Sequence, residues 1–590
     1  MQVRRVFDLL DQLNLKYTKS DILAAKENKV WKTYSTQEFI QNVNLVSFGL
    51  LDRGLSHGDR VAIISNNRPE WNFVDYGCQQ IGVVTVPIYP TISVSDLRFI
   101  LNDAQVKIIF FSSKDILAKI LDVKNDVSSL QELVSFNNLP DTSSFSEYLQ
   151  KAKTTNYDEL LQQRKSAVKP DELFTLLYTS GTTGVPKGVM LCHDNIISNV
   201  KAAQHLAPFS SNWKALSFLP LNHVYERMVN TLYLHQGISI YYAEGLETIS
   251  DNLKEVKPQV FVTVPRLLER VYEKLVTAGE KLSPVKRKLF FWALGLSLKY
   301  DVKGMSLFYN IKRKIADKLI FSKWRAALGG NVIAVVSGGA ALQPRLARVF
   351  LCAKITVLEA YGLTETSPAI SANNFEPDSI RIGTVGPVLK NTQVRIAEDG
   401  EILVKGPGVM MGYYNNLEAT REVLTEDGWF HTGDIGTLEE DRFLKITDRK
   451  KEIFKTSSGK YIAPLMIENK LKECRFIEQC MVIGEKQKFA SALLVPSFDY
   501  IKEWCKQNDI QYSSNEDIVH NEVLKKEISS FIREMNKSLG LHEQIKRPEL
   551  LSATWSIEGG ELTPKMSLKR KAIMEKYADR VNKIFLSEEN

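Results

Sequence analysis

The sequence predicts an α/β protein with a large N-terminal domain, made of two parallel-type α/β layers plus a small antiparallel β subdomain, and a smaller α+β C-terminal domain. Three observations lead to this fold class: short apolar runs that alternate with helical patterns, a hairpin signal after Arg395, and a change of pattern after Asp448. Runs this apolar are typical of strands buried on both faces, as in parallel sheets covered by helices. They occupy residues 61–64, 83–88, 106–111, 173–178, 260–264, 332–336 and 355–358.

The antiparallel subdomain is predicted from the segment RIAEDGEILVKG, which begins at Arg395. This segment is typical of two short strands joined at Asp399-Gly400, a dipeptide that favours a type I′ hairpin turn. Because a hairpin pairs neighbouring strands locally, we expect a small antiparallel sheet after the large parallel layers.

The C-terminal domain is predicted from the second change of pattern. Short strands at 480–483 and 490–495 precede a charged helical stretch at 516–537. The predicted order along the chain is an N-terminal domain at 1–446, a hinge segment at 447–452 and a C-terminal domain at 453–590.

Composition and charge exclude several classes of protein. Of the 590 residues, 44% are hydrophobic and 25% are charged, which is average for a soluble globular protein. Disordered, collagen-like and disulfide-scaffold chains are therefore excluded. The net charge of +7 is too small for a dedicated nucleic-acid binder, so we expect no nucleic-acid partner.

The cellular compartment is predicted from apolar runs and cysteines. The sequence contains no run of the roughly 18 apolar residues that a membrane span needs. Asp8 and Asp11 interrupt the first apolar stretch, unlike the apolar core of a signal peptide. Six cysteines without a CxxC pair suit a reducing compartment. We therefore expect a cytoplasmic protein.

Residues 281–325 form a strongly basic segment. It contains twelve Lys and Arg but only two acidic residues, a net charge of +10, and the apolar stretch LFFWALGLSL at 289–298. Apolar residues flanked by basic ones are typical of a helix that lies on an anionic membrane surface. A helix that packs into the core and leaves a basic face in solvent would show the same pattern. We expect a basic helical insertion that contacts the inner face of a membrane.

The sharpest motif is YTSGTTGVPKGVM, which begins at Tyr178 directly after an apolar run. Its glycines allow backbone N–H groups to turn towards phosphate oxygens, its hydroxyl groups add donors and its lysine adds a cation. The motif is not a Walker A sequence, because Lys187 is followed by Gly188. The predicted phosphate-binding residues are Thr179, Ser180, Gly181, Thr182, Thr183, Gly184 and Lys187.

Four further motifs follow in the order found in one known family. They are SGGAALQP from Ser337, EAYGLTETSP from Glu359, DGWFHTGDIG from Asp427 and ITDRKKEIFKTSSGKYIAP from Ile446. With the phosphate motif, they resemble the motifs of the AMP-forming adenylating enzymes, over nearly the whole chain. The resemblance implies an enzyme that joins a carboxylate to AMP, releases pyrophosphate and usually passes the acyl group to a thiol.

The resemblance also implies roles for single residues. Glu365 would hold Mg²⁺ on the ATP phosphates, a role suited to a hard oxygen ligand, although a Thr-Glu pair is also a common helix cap. Asp434 would accept hydrogen bonds from the ribose, and Arg449 would contact ribose or phosphate. Lys451 lies where the family has its hinge, about which the C-terminal domain is expected to rotate. The other expected nucleotide contacts are Gly339, Ala340, Tyr361, Gly362 and Thr364.

The segment LPLNHVYERM, which begins at Leu219, is close to a pattern of the long-chain fatty acyl-CoA synthetases within this family. It would place His223 near the acyl carboxylate and the thioester-forming channel, although a hydrogen-bonded buried histidine is the alternative. Glu226 and Arg227 could pair with each other, and their roles stay open. The basic insertion also resembles the extra helical region of the long-chain group.

The C-terminal motif departs from the family pattern. Most members carry a lysine that binds the acyl phosphate and carboxylate oxygens, and in ELTPKMSLKRK the expected position is Ser567. In an extended segment Lys565, Ser567 and Lys569 point to the same side. Either lysine could therefore supply the catalytic ammonium group, and we favour Lys565 over Lys569.

The sequence thus predicts an acid–thiol ligase, a long-chain-fatty-acid–CoA ligase. ATP with Mg²⁺ would convert a long-chain fatty acid to acyl-AMP and pyrophosphate, and CoA would then take the acyl group and release AMP. An acyl carrier protein could replace CoA, or acyl-AMP could be the final product. Aryl or short-chain acids are a second alternative. A third, of a different class, is an inactive nucleotide- and acyl-binding protein at a membrane surface.

Overall fold

The computed structural model describes residues 2–140, 142–154, 157–180, 185–556, 558–563 and 567–586. The chain divides into two compact units. The first comprises Met1–Arg395, Leu403–Thr432 and Leu438–Leu444, and the second comprises Ile396–Ile402, Gly433–Thr437 and Lys445–Asn590. The second unit therefore takes two short segments from upstream of its main part. The hinge at 447–452 stays a prediction.

The first unit contains an eight-stranded mixed sheet. Its six central strands are parallel, and an antiparallel strand lies at each edge. Central strands such as Val260–Thr263 are buried at every position, as expected for strands between helical layers. From edge to edge, the strands are Ala369–Ala372, Thr356–Gly362, Ala334–Ser337, Val260–Thr263, Lys214–Ser217, Ser239–Tyr242, Leu23–Glu27 and Val30–Tyr34.

A second eight-stranded sheet lies in the same unit. Six of its strands are parallel, and two antiparallel strands close one edge. From that edge, the strands are Gly412–Tyr413, Pro186–Cys192, Leu173–Ser180, Val84–Ile88, Arg60–Ile64, Val106–Phe111, Glu132–Ser135 and Ser143–Ser144. All seven apolar runs of the sequence form strands of these two sheets. The predicted parallel-type layers are thus confirmed.

Helices alternate with the strands throughout the first unit. They are Asp8–Lys16, Thr36–Asp52, Pro69–Gln80, Val94–Asp103, Lys114–Lys124, Phe145–Ala152, Asp158–Ala167, His193–Ala203, Val224–His235, Ile249–Val256, Pro265–Glu280, Pro284–Ser297, Leu307–Ala316, Ser322–Ala327, Pro344–Cys352 and Leu417–Val423. None of the helices in the described part of the chain has the length and apolar content that crossing a membrane requires. All six cysteines are free thiols in buried positions.

The basic segment 281–325 folds mainly as helices that belong to the first unit. We expected its apolar stretch at 289–298 to face a membrane, and for this stretch the expectation was wrong. The stretch lies on the helix Pro284–Ser297, which turns most of its apolar residues inward onto the same hydrophobic core as the helix Pro344–Cys352. The buried residues of the stretch are Phe290, Ala293, Leu294 and Leu296.

A buried ion pair connects elements of the two sheets. Arg227 donates to both carboxylate oxygens of Asp75, which lies on the helix Pro69–Gln80. Its guanidinium also donates to the hydroxyl groups of Thr85 at 3.0 Å and Thr175 at 2.6 Å, on paired strands of the second sheet. The charge and the donors of the guanidinium are therefore matched inside the protein.

The sequence allowed Glu226 to pair with its neighbour Arg227, but in the structure the two side chains have different partners. Its carboxyl group accepts hydrogen bonds from the Ser217 hydroxyl and, at 3.1 Å, from the Asn230 amide. Complete burial raises the pKa of Glu226 to about 8. The group is therefore mostly protonated at neutral pH, and Arg227 is balanced by Asp75 instead.

The second unit is an α+β structure with its own hydrophobic core. The strand Ile477–Ile483 pairs antiparallel with Ser491–Pro496, which also pairs with Glu549–Leu550. A short hairpin joins Phe454–Lys455 to Tyr461–Ile462. The helices are Pro464–Leu471, Phe498–Gln507, Asn515–His520, Glu522–Asn536, Arg570–Lys576 and Ala578–Leu586. The predicted strands and charged helical stretch of this part are confirmed.

The small antiparallel sheet is also present, but its turn differs from the prediction. The strands of this region are Gln393–Ile396, Glu401–Lys405, Phe430–Glu439 and Phe443–Arg449. Ala397 N–H donates to Glu401 O at 2.8 Å, and Gly400 N–H donates to Ala397 O at 2.9 Å. Only Gly400, with φ of 84°, has a positive φ in this turn, whereas type I′ requires two such residues. The turn is therefore a type I turn followed by a glycine bulge.

We expect Arg227→Met to destabilise the protein strongly, because it leaves the Asp75 carboxylate buried without its counter-charge. Loss of one partner of a buried pair costs about 3–5 kcal/mol. The measurement is urea unfolding followed by circular dichroism. The matched control is Arg4→Met, which removes an exposed pair with Asp194 and should cost less than about 1 kcal/mol. Equal stability of the two variants would contradict the expectation.

Candidate active site

The phosphate motif connects two paired strands. Leu173–Ser180 and Pro186–Cys192 are antiparallel, and their register sets Thr179 opposite Lys187. The hydroxyl and the ammonium group therefore flank the two ends of one short loop. The rest of the predicted cradle, the Ser180 side chain with Gly181, Thr182, Thr183 and Gly184, lies outside the described residues.

Gly188 has a packing role that differs from the expected one. It lies in a strand opposite Tyr178, and a Cβ atom at this position would stand 3.0 Å from the Tyr178 ring. Tyr178 in turn donates its hydroxyl hydrogen to the Asp103 carboxylate. The glycine thus allows a tyrosine to brace the base of the hairpin.

Lys187 and Glu365 meet through a residue that the sequence analysis missed. The Lys187 ammonium group lies 5.1 Å from the centroid of the Tyr413 ring, within the range of a cation–π contact. The Tyr413 hydroxyl donates to Glu365 Oε1 at 2.9 Å. Tyr413 reaches this position because it pairs with Val189, two residues after Lys187. The only sequence signal was a Gly-Tyr pair far along the chain.

Glu365 lies on a tight turn at the carboxyl end of a central strand. The turn Thr364–Thr366 follows the strand Thr356–Gly362 directly. A Cβ atom on Gly362 would stand 1.7 Å from the Pro368 carbonyl oxygen, so no larger residue fits this position. Asn199 donates to Thr366 O at 3.1 Å, which anchors the turn from a neighbouring helix. The buried Thr364 and the half-buried Glu365 are therefore held in fixed positions.

Gly339, Ala340 and Tyr361 lie at the same edge of the sheet. The strand Ala334–Ser337 pairs in parallel with Thr356–Gly362, so the carboxyl ends of the two strands are neighbours. Gly339 has φ of 79°, which favours glycine, and both Gly339 and Ala340 are exposed. In open α/β sheets, ligands bind in the crevice outside the carboxyl ends of the strands.

Glu359 is a second residue that the sequence analysis missed. Its buried carboxyl group accepts hydrogen bonds from the backbone N–H groups of Leu342 and Gly383. Burial raises the pKa of Glu359 to about 8, and the two backbone donors lower it only in part. The side chain therefore connects the loop that carries Gly339 to the strand that carries Tyr361.

His223 caps the helix Val224–His235. Its Nδ1 atom accepts the backbone N–H of Tyr225 at 3.1 Å, which leaves Nε2 as the ring nitrogen that carries a proton in the neutral form. The Tyr225 hydroxyl donates to Val336 O at 3.1 Å, at the end of the strand Ala334–Ser337. The helix start, and His223 with it, is thereby held against the sheet edge that carries Gly339.

In the second unit, Asp434 and Arg449 are close together. Asp434 is almost completely buried in its strand, whereas the Arg449 side chain is 62% exposed. The distance from Arg449 Nε to Asp434 Oδ1 is 3.3 Å. An anchored carboxylate beside an accessible guanidinium can serve one ligand that carries both hydroxyl and phosphate groups.

In the segment TDRKKE, residues 447–452, every second side chain makes a hydrogen bond or an ion pair that holds the segment in place. Asp448 accepts the backbone N–H groups of Arg449 at 2.6 Å and Leu465 at 3.1 Å, and burial raises the pKa of Asp448 to about 6. Lys450 pairs with Asp399 at 2.6 Å, and Glu452 pairs with Arg570 at 3.0 Å. Lys451 lies between these anchored side chains and is exposed.

The sequence predicts one extended segment around Ser567, but the described residues on the two sides of the lysine motif pair with each other. Leu562 and Leu568 form an antiparallel bridge, and Thr563 N–H donates to Ser567 O at 2.9 Å. Leu562 and Leu568 therefore lie opposite each other on antiparallel segments. Lys569 is exposed directly before the helix Arg570–Lys576. Lys565 itself lies outside the described residues.

The donor set of the first unit fits a magnesium ion that arrives with a nucleotide. No group of three or more His, Cys, Asp and Glu side chains that could hold a metal ion occurs among the described residues. Mg²⁺ does not need such a group when it is held by one carboxylate, waters and substrate phosphates. Glu365 suits this role, because the bond from Tyr413 involves only its Oε1 atom.

Comparison with known proteins gives matches over both units. Residues 16–414 match the AMP-binding enzyme family, and residues 451–589 match the AMP-binding enzyme C-terminal domain. Among solved structures, the chain is similar in fold to the anthranilate CoA ligase AuaEII in complex with anthranoyl-AMP, with a TM-score of 0.73, 16% identity and 97% of each chain covered. It is also similar to ATP-bound MatB from Rhodopseudomonas palustris, with a TM-score of 0.71, 20% identity and 98% and 100% covered.

Curated relatives are more similar in sequence. Long-chain-fatty-acid–CoA ligase FadD15 from Mycobacterium bovis is 34% identical over 567 residues, which cover 95% of this chain and 93% of the relative. The peroxisomal long chain acyl-CoA synthetase 7 from Arabidopsis thaliana is 32% identical over 588 residues, which cover 94% of this chain and 81% of the relative. These matches extend over both units, and the chain belongs to the AMP-binding enzyme family.

Proposed function

We propose that the protein is a long-chain-fatty-acid–CoA ligase. It converts a fatty acid and ATP to acyl-AMP and pyrophosphate, and then transfers the acyl group to CoA with release of AMP. The observation that carries this proposal is the similarity to long-chain-fatty-acid–CoA ligases over 95% of the chain. The presence of the nucleotide motifs in both units supports catalysis rather than acyl binding alone.

In the first step, the fatty carboxylate attacks the α-phosphorus of ATP and pyrophosphate leaves. Thr179 and Lys187, at the two ends of the phosphate loop, hold the leaving phosphates. Glu365 would hold Mg²⁺, which when bound offsets phosphate charge. Displacement at phosphorus depends mainly on such positioning and charge stabilisation. The adenosine would lie at the sheet edge that carries Gly339, Ala340, Tyr361, Gly362 and Thr364.

The second unit supplies the remaining polar contacts in this proposal. Asp434 accepts hydrogen bonds from the ribose hydroxyls, and Arg449 contacts ribose or phosphate. Lys565 or Lys569 provides the ammonium group that stabilises negative charge during adenylation. Rotation about Lys451 then withdraws that lysine and allows the thiol step, since a few residues suffice for a domain hinge.

In the second step, the CoA thiolate attacks the acyl carbonyl and AMP leaves. His223 lies near the reacting acyl group in this proposal, with its tautomer set by the bond from Tyr225. An acyl carrier protein is the alternative thiol acceptor. We also propose that the enzyme is cytoplasmic and that segment 281–325 contacts the inner face of a membrane, where long-chain fatty acids accumulate.

We expect pyrophosphate release from ATP and Mg²⁺ in the presence of palmitate, with little release for acetate or benzoate. CoA should increase turnover, because it removes acyl-AMP from the enzyme. A coupled pyrophosphate assay measures the rate, and mass spectrometry identifies the thioester. Release that needs acyl carrier protein instead of CoA would identify the alternative acceptor. No release with any fatty acid would contradict the ligase assignment.

We expect loss of one C-terminal lysine to slow adenylation by about 10²–10³-fold, the effect typical of one lost charge-stabilising donor. The variants are Lys565→Ala and Lys569→Ala, with Lys571→Ala, an exposed neighbour, as the matched control. The assay is single-turnover acyl-AMP formation. Adding Ser567→Lys to the impaired variant should restore the rate. Unchanged rates in both single variants would exclude both lysines from the role.

A further inference from the structure

The helix Leu307–Ala316 and its continuation Asp317–Phe321 expose an apolar stripe. The residues of the stripe recur about once per helical turn, so they lie on one face of the helix. Isolated apolar residues are normal on a protein surface, but a contiguous row indicates an interaction site. Their exposed fractions are 82% for Leu307, 67% for Phe308, 52% for Ile311, 49% for Ile315 and 40% for Leu319.

The opposite face of the helix is already part of the core. Tyr309, Ala316 and Ile320 are buried, and the Tyr309 hydroxyl donates to Leu296 O at 2.7 Å. Arg313 donates to Cys352 O at 2.9 Å, which anchors the helix to the body of the first unit. The core therefore does not need the exposed stripe, and the stripe is presented on a fixed element.

Lysines border the stripe on both sides. Helical spacing places Lys314 and Lys318 along one edge and Lys312 along the other. The two acidic residues of the basic segment are engaged elsewhere: Asp301 with Arg348 at 3.2 Å, and Asp317 with Arg325 at 2.6 Å and Lys354 at 2.8 Å. The surroundings of the stripe are therefore positive.

We propose that this stripe inserts into the interfacial region of an anionic lipid bilayer, with the bordering lysines on the lipid phosphates. A row of leucine, isoleucine and phenylalanine between lysines is the composition of a helix that lies in the plane of a membrane interface. The proposal rests on the proposed membrane contact of segment 281–325 and names the element that makes it. It does not depend on the ligase chemistry.

A second copy of this chain is a poor occupant of the stripe. A symmetric dimer through this face would bring Lys314 and Lys318 towards the same lysines of the other copy. Like charges in a partly desolvated contact repel each other. An anionic surface has the opposite effect, since each lysine near it adds attraction.

Flotation of the full chain with vesicles tests the proposal. We expect binding to phosphatidylglycerol–phosphatidylcholine vesicles and much weaker binding to phosphatidylcholine alone. Phe308→Ser combined with Ile311→Ser, and separately Lys314→Glu combined with Lys318→Glu, should each weaken binding about tenfold or more. The matched control is Leu541→Ser, which removes an isolated leucine that is 84% exposed in the second unit.

Three outcomes would overturn the proposal. One is equal binding of the Phe308 and Ile311 variant and the wild type. Another is binding that does not depend on lipid charge. The third is an oligomer of the wild type that dissociates in that variant while no vesicle binding occurs. Pyrophosphate release with octanoate in the absence of vesicles should be the same in wild type and all variants, so failure of the ligase assignment is distinguishable.

A second inference concerns Tyr413, which contacts both ends of the proposed phosphate–magnesium site. Its ring lies under the Lys187 ammonium group and its hydroxyl bonds Glu365 Oε1. The side chain is 8% exposed and lies on a strand paired with Val189 and Met190.

We infer that Tyr413 is a positioning residue, which orients Glu365 for the metal and Lys187 for the phosphates. A hydroxyl donor on one carboxylate oxygen fixes the carboxylate plane and leaves the other oxygen for a cation. Residues that orient a metal ligand in this way typically change metal affinity 10- to 100-fold when replaced. The inference rests on the proposed function.

The test is thermal stabilisation by ATP as a function of Mg²⁺ concentration. Tyr413→Phe keeps the ring and should raise the Mg²⁺ concentration for half-maximal stabilisation about tenfold. Tyr413→Leu should in addition weaken ATP binding at saturating Mg²⁺, because it removes the ring from Lys187. Tyr414→Phe is the matched control. An unchanged Mg²⁺ dependence in Tyr413→Phe would overturn the inference, whether or not the wild type proves to be a ligase.

Discussion

The buried guanidinium of Arg227 is the interaction on which the first unit depends. A charge at this depth is costly unless its donors find acceptors, and here they meet the Asp75 carboxylate and two threonine hydroxyls. Because Thr85 and Thr175 lie on paired strands, the guanidinium fixes the helix Val224–His235 against the second sheet. The same helix is bonded to the first sheet through Tyr225. One helix thus connects both sheets, and His223 lies at its start.

Close backbone approaches also determine the shape of the sheet edge that carries Gly339 and Glu365, where we propose that the nucleotide binds. Gly362 lies so near the Pro368 carbonyl that no side chain fits before the turn with Glu365. Glu359 connects its strand to the loop of Gly339 through the Leu342 N–H, and it also accepts the Gly383 N–H. These contacts use polar groups that are buried and satisfied, which is the arrangement that makes a site rigid before its ligand arrives.

Charge is distributed unevenly over the chain. The basic residues of segment 281–325 either bond to backbone carbonyls inside the first unit or lie on its surface. Residues 281–325 carry a net charge of +10, whereas the whole chain carries +7. The remaining residues therefore carry a net charge of 7 − 10 = −3. Arg313 and Arg325 are used internally, on the backbone carbonyls of Cys352 and Ala353 at the end of the helix Pro344–Cys352. The outer lysines of the basic segment surround an apolar stripe instead. The proposed membrane contact of this stripe would bring the enzyme close to fatty acids, which partition into bilayers.

The sequence alone determined the α/β class, seven strands of the two large sheets and the adenylating family, and it predicted the residues of the phosphate motif. These follow from local periodicity and from motifs whose chemistry depends on adjacent residues. Tertiary structure decided the rest. Tyr413 joins Lys187 and Glu365 only because distant strands pair. Arg227 pairs with Asp75 rather than with its neighbour Glu226 because packing brings the Asp75 carboxylate against the guanidinium. Which apolar residues of the basic segment faced outward was likewise decided by packing, since both of its main helices combine apolar residues with Lys and Arg.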